Sequence, residues 1–294
     1  MRDDLFHPRH CFAAIPDAYT DFDTARVAIL PVPYDSTTDW RAGSREGPQA
    51  IITASEFIEL YDPELDKEVY RVGIHTLPSL KLVQSSPEAM AGRVYQACRW
   101  LLEQGKMVVM LGGEHSLTAG AVRAYKEKFP ELSVLQLDAH ADLRDSYEGT
   151  KYSHACVMRR VLELCPIVPV GIRSLSLEES QFIRESGLAP FYASQWRQDP
   201  TLPERVVAAL TPHVYISLDL DVFDPSVMSA VGTPEPGGLL WHEVVPLLRL
   251  VARGRRVVGF DIVELCPAEG PAACAYLAAT LVYKLIGYAT AQEL

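Results

Sequence analysis

A three-layer α/β/α sandwich built on a mainly parallel sheet is the fold class this sequence predicts, and three features predict it. Six short runs are apolar almost without interruption and rich in β-branched residues. Longer segments with helical periodicity separate them, and acids and histidines gather where the runs end.

Strands that lack in–out alternation are buried on both faces, as in a parallel sheet covered by helices. The runs are RVAILPVP (26–33), KMVVMLGG (106–113), LSVLQLDA (132–139), PIVPVGIR (166–173), HVYISLDLD (213–221) and RVVGFDIVEL (256–265), each expected to be a strand. Segments 87–104, 115–129, 153–164, 201–210, 241–253 and 272–289 read as helices. Repetition of this kind places helices on both sides of one sheet. GTPEPGG (232–238) holds two prolines and three glycines, so it reads as a loop. No low-complexity linker or charge block divides the chain, and a single domain over 1–294 is expected.

Composition narrows the function classes. With 48% hydrophobic residues in 294, the chain can bury a sizeable core without disulfide staples. The six cysteines are scattered and form no C-x-x-C pair, which suggests reduced thiols and a cytoplasmic setting. The first 25 residues lack the apolar stretch of a secretory signal. YLAATLVYKLIGYA is too short to span a bilayer and reads as a core helix, so no membrane partner is expected. A formal charge of −11 argues against nucleic acid as a partner and is compatible with a cationic substrate.

The strand ends carry the chemistry. LGGEHS ends one run with His115, and LQLDAHAD ends the next with Asp138, His140 and Asp142. YISLDLDVFDP adds Asp219, Asp221 and Asp224, and VGFDIVEL adds Asp261 and Glu264. In open parallel sheets this edge is where ligands bind. Residues i and i+2 of an extended chain share a face, so Asp219 with Asp221, and Asp138 with His140, can reach one centre. Four converging carboxylates repel one another and are costly to desolvate. Two divalent cations would balance them, with His115 and His140 as neutral nitrogen ligands. That mixture suits Mn²⁺, leaves Zn²⁺, Ni²⁺ and Co²⁺ open, and disfavours Ca²⁺. Such a pair would lower the pKa of a held water. Taken singly, D-x-D arises by chance, and G-G-x-H serves as a strand–helix turn; their joint placement carries the inference.

GGEHS, DAHADLRD…YSHACVMRR, SLDLDVFDPSVMSAVGTPEPGG and GFDIVELCP together resemble the ureohydrolases, the arginase and agmatinase group, and most closely its bacterial and archaeal agmatinases. The resemblance begins near LPVPYDSTTDWRAGSREGPQAI and runs almost to the C-terminus. It implies an eight-stranded parallel sheet, two Mn²⁺ per subunit and assembly into trimers or hexamers. One metal would be held by His115, Asp138, Asp142 and Asp219, the other by His140, Asp138, Asp219 and Asp221. His154 of YSHAC would relay protons, and Glu264 would pair with a substrate guanidinium. The implied reaction cleaves agmatine to putrescine and urea. N1-aminopropylagmatine or guanidinobutyrate are alternative substrates; a zinc-dependent polyamine deacetylase and a non-catalytic homologue are more distant readings. SAVGTP departs from the family's loop at Ser229 and Val231, and Glu114 replaces the usual aspartate. DSYEGTKYSH lacks the Asn/Ser pattern with which arginases hold an α-amino acid, which favours agmatine-like substrates.

The remaining candidates are read as structural: His7, His10, His75, His213 and His242 lack metal-like neighbours, and Asp224 shapes a turn before Pro225. Asp145 is expected toward solvent or behind the metal ligands, Cys156 and Cys266 as small buried groups, and Arg173 as neutralising an acid beneath the site.

Overall fold

The computed structural model describes residues 11–291. Among the described residues the strands are β1 (Val27–Val32), β2 (Tyr61–Asp62), β3 (Lys67–Glu68), β4 (Ile74–Thr76), β5 (Met107–Gly112), β6 (Leu132–Leu137), β7 (Ile167–Ile172), β8 (Phe191–Tyr192), β9 (His213–Asp219) and β10 (Arg256–Val263). The α-helices are α1 (Gly47–Ser55), α2 (Pro87–Glu103), α3 (Thr118–Lys128), α4 (Val157–Leu162), α5 (Leu177–Ser186), α6 (Ala193–Trp196), α7 (Leu202–Ala209), α8 (Trp241–Gly254) and α9 (Ala272–Ala289).

Eight strands form one sheet in the order β4-β1-β5-β10-β9-β6-β7-β8, every pairing parallel, while β2 and β3 make a separate antiparallel ribbon. All six expected strands are present. Alternate residues feed opposite faces of the sheet. Val27, Ile29, Val109, Leu135, Ile216 and Ile262 face the cluster shared with α1, α7, α8 and α9. Ala28, Leu30, Val108, Val134 and Tyr215 face the cluster shared with α2, α3 and α4. Both faces are therefore dry, which is why the strands read as continuous apolar runs.

Expected helices 115–129 and 153–164 each begin with a 3-10 turn, at His115–Leu117 and His154–Cys156, before α3 and α4 start. The edge strands β4 and β8, of three and two residues, are too short to show periodicity in the sequence. Helix α5 also went unassigned, although Ser176 and Glu179 form a capping box at its start. Among the described residues α9 alone has the length and hydropathy to cross a membrane. It instead packs on α1, α8 and β10 and buries Leu281, Val282, Leu285 and Ile286.

Candidate active site

The four central strands β5, β10, β9 and β6 deliver their C-terminal ends side by side. At the end of β5 the chain must pass beneath the segment around Tyr34. A Cβ on Gly113 would lie 2.0 Å from the Tyr34 carbonyl oxygen, so only glycine fits. His115 follows at once, fully buried.

Its Nδ1 stands 3.1 Å from Asp142, 3.2 Å from Asp138 and 3.4 Å from Asp219, with no hydrogen-bond geometry to any of them. Nε2 lies 2.9 Å from the Ser217 hydroxyl, and that hydroxyl donates to Asp261 at 2.8 Å. Because Ser217 has one proton and spends it on Asp261, it accepts from Nε2–H. In the neutral ring Nδ1 is thereby left as a bare lone pair aimed among three carboxylates; burial opposes charge on the ring, but Asp138, Asp142 and Asp219 hold its pKa well above the usual histidine value. Thr118 and Tyr215 donate to the other Asp261 oxygen, at 2.9 and 2.8 Å, so this buried acid is fully engaged.

The second half of the cluster is built the same way. Gln136 donates to Asp138 at 2.9 Å, and the His140 N–H closes on the other Asp138 oxygen at 2.6 Å. Asp221 accepts from the Ala139 N–H at 2.9 Å and contacts His140 Nδ1 at 2.8 Å. The Asp221 N–H in turn donates to Asp219 at 2.9 Å. Asp142 reaches the cluster from a left-handed backbone, φ 54°, a conformation uncommon outside glycine.

Two sets of ligand atoms result, His115–Asp138–Asp219 and Asp138–His140–Asp221, each with its atoms within 4.8 Å of one another and with Asp138 common to both. Burial, then repulsion from Asp142 and Asp221, pushes the Asp138 carboxyl up to about 7. Asp219 is also raised well above the usual carboxylate range, by burial and then by Asp221 and Asp138. Burial opposes charge on Asp221 too, but His140 holds it down at about 2. A group of acids this strained takes up protons or cations, and the neutral form of His115, with Nδ1 turned toward it, suits cations.

Glu264, after β10, is also left-handed at φ 64°, anchored by its N–H to the Gly113 carbonyl at 2.8 Å. One oxygen accepts from the His115 N–H at 2.6 Å. Burial, then repulsion from Glu114, pushes its pKa up to about 8. Glu264, His154 and the His115–Asp219–Asp221 group line one cavity of about 170 Å³, whose rim carries Trp40 and Tyr147. The Tyr147 hydroxyl donates to Asp39 on that rim at 2.6 Å.

Comparison with known proteins matches residues 25–287 to the Arginase family. The chain belongs to that family. It is 40% identical to the N(1)-aminopropylagmatine ureohydrolase of Synechocystis sp. over 280 residues, covering 92% of each chain. To the agmatinase of Pyrococcus horikoshii it is 34% identical, covering 91% of this chain and 93% of that one. Among solved structures, the agmatine ureohydrolase of Thermoplasma volcanium superposes with a TM-score of 0.88 at 32% identity, covering 99% of this chain and 97% of the other. This member of the arginase family is a ureohydrolase with a metal-dependent site.

The other residues singled out by the sequence fall as follows. Asp145 pairs with Arg160 and Lys151 and is half exposed. Asp224 caps the expected loop, accepting from the N–H groups of Gly237 and Gly238 at 2.9 and 3.1 Å. Arg173 ties the site's underside together by donating to the carbonyls of Asp221 and Glu235, at 2.6 and 2.8 Å. Cys156 and Cys266 are buried free thiols. Val231 lines the cavity with an apolar side chain. His75, His213 and His242 stay away from the cluster; His7 and His10 lie outside the described residues.

The sequence reading missed Ser217, Gln136 and Thr37. The first two sit two residues before Asp219 and Asp138, so the period-two rule that grouped the acids puts them on the same strand face. Thr37 comes from a distant loop and leaves no local signal.

Proposed function

We propose that the chain releases urea from a linear cationic guanidine, agmatine or its N1-aminopropyl derivative, leaving putrescine or spermidine. The observation that carries this reading is the pair of ligand sets sharing Asp138, with Glu264 and His154 on the same cavity wall. His115, Asp138, Asp142 and Asp219 are assigned to one Mn²⁺, and His140, Asp138, Asp219 and Asp221 to the other; nitrogen beside carboxylate oxygen suits that ion. Bound there, the cations would supply a water activated for attack on the guanidino carbon.

The chain's own residues do the rest. Ionised Glu264 orients the planar guanidinium through paired hydrogen bonds. Val231 presents no competing donor or acceptor beside it. His154 carries the proton that the leaving amine requires. Asp39 and Glu179 on the cavity wall offer negative charge to the distal amine. The greater identity to the aminopropylagmatine enzyme, 40% against 34% for the agmatinase, favours the longer substrate. The proposal includes a single catalytic domain assembled as a homo-oligomer, trimer or hexamer, which sedimentation would check.

The deciding assay is urea release by manganese-loaded protein from agmatine, N1-aminopropylagmatine, guanidinobutyrate and arginine. Expected is urea from the first two, with the higher kcat/KM for aminopropylagmatine. Urea from none of them overturns the reading, and preference for arginine overturns the substrate class.

A further inference from the structure

Glu114 precedes His115 and is wholly buried, and its hydrogen bonds go to Ser36, Thr37 and Ser116 rather than to the ligand cluster. One of its oxygens accepts from the backbone N–H groups of Ser36 and Thr37, at 2.5 and 2.7 Å. The other accepts from the hydroxyls of Thr37, at 2.9 Å, and Ser116. Four donors on one carboxylate leave it a pure acceptor. The Thr37 proton is therefore committed to Glu114.

The same Thr37 oxygen touches His154 twice. It accepts from the His154 backbone N–H at 3.0 Å and lies 3.1 Å from Nδ1. With its only proton already given away, it can meet Nδ1 only by accepting from an Nδ1–H. Ser153, the other neighbour of Nδ1, stands farther off at 3.3 Å. Neutral His154 thus carries its proton on Nδ1 and presents a bare Nε2. The edge of the ring rests against Tyr147, centroid to centroid 6.0 Å, which limits rotation. Tyr147 is itself held by Asp39 through its hydroxyl and by Arg144 stacked 5.0 Å over its ring.

We infer that Thr37, oriented by Glu114, is a positioning residue that fixes the tautomer and plane of His154, so that Nε2 is the nitrogen exchanging protons with the cavity. Nothing in the spacing of the sequence links these three residues, which lie 77 and 117 positions apart from Thr37. The inference rests on the proposed role of His154 as proton carrier, and it adds the reason that one ring nitrogen rather than the other does the work.

The test is a double-mutant cycle on the manganese-loaded enzyme, with metal content and thermal midpoint measured alongside. Thr37→Val should lower kcat about tenfold to a hundredfold with KM and metal unchanged, a loss of alignment rather than of binding. Thr37→Ser, which keeps the hydroxyl, should restore kcat to within about threefold of the parent. In the His154→Asn background Thr37→Val should change the residual rate by less than about twofold, since the path it serves is gone. An unchanged kcat in Thr37→Val, a Thr37→Ser as slow as Thr37→Val, or the same loss in the His154→Asn background each overturns the positioning role. If His154→Asn itself keeps full kcat, the role of His154 fails first and carries this inference with it.

Discussion

The imidazole of His115 and the hydroxyl of Ser217 meet at 2.9 Å, and this contact decides which nitrogen of the histidine is free to bind a cation. Ser217 is committed to Asp261 at 2.8 Å, so it accepts a hydrogen bond from Nε2–H and leaves Nδ1 among the carboxylates. Partners of this kind typically contribute tenfold to a hundredfold in metal affinity. Ser217→Ala should therefore weaken manganese binding by about tenfold to a hundredfold while saturated enzyme keeps most of its kcat. Competition with a metal-sensitive dye would measure it; unaltered affinity would separate Ser217 from the metal centre.

His154→Asn should depress kcat by about a hundredfold or more, the range over which a general acid–base group acts. Bound manganese should remain at the parent level, because no candidate ligand touches the ring. Metal analysis and steady-state kinetics on the same preparation separate the two effects, and undiminished turnover would remove His154 from the mechanism.

Glu264 must be ionised to hold a guanidinium. Burial and Glu114 push it up to about 8, so at neutral pH the carboxyl alone tends to keep its proton. Cations beside it lower that value, and the loaded enzyme should ionise below 8. The sign follows: acidification through the apparent pKa protonates Glu264 and discards the attraction to substrate. kcat/KM should fall on the acid side, approaching roughly tenfold per unit. Glu264→Gln should raise KM by about thirtyfold or more, the loss of a buried charged partner. An unchanged KM in that variant would assign guanidinium binding elsewhere.

Gly113→Ala tests the scaffold rather than the chemistry. The added methyl would stand 2.0 Å from the Tyr34 carbonyl oxygen, a backbone atom that cannot step aside cheaply. A loss of about 1–3 kcal/mol is expected, read as a lowered midpoint in thermal or denaturant unfolding. Parental stability would mean that the 34–38 segment yields freely.

How much of this was legible beforehand follows from period and range. The strands announced themselves because both faces of the sheet are dry, and the acids because they fall two residues apart at strand ends. Ser217 and Gln136 obey the same spacing, but hydroxyls and amides are too common in strands to stand out without the carboxylates they serve. Edge strands β4 and β8 were hidden by their brevity. Asp261 could be placed near the site but not given a task, since its partners Thr118, Tyr215 and Ser217 come from two other elements. Thr37 was invisible for the same reason, as its meaning lies in contacts across the fold. The left-handed turns at Asp142 and Glu264 likewise have no signature in residue type.

Central to the account is a cage for two cations that share Asp138. Equilibrium dialysis against manganese tests it most directly. Two ions per chain are expected for the parent, and one or none for Asp138→Asn, which removes the shared carboxylate charge. A parent chain that takes up no more than one ion, or an Asp138→Asn variant that still holds two, would contradict the account.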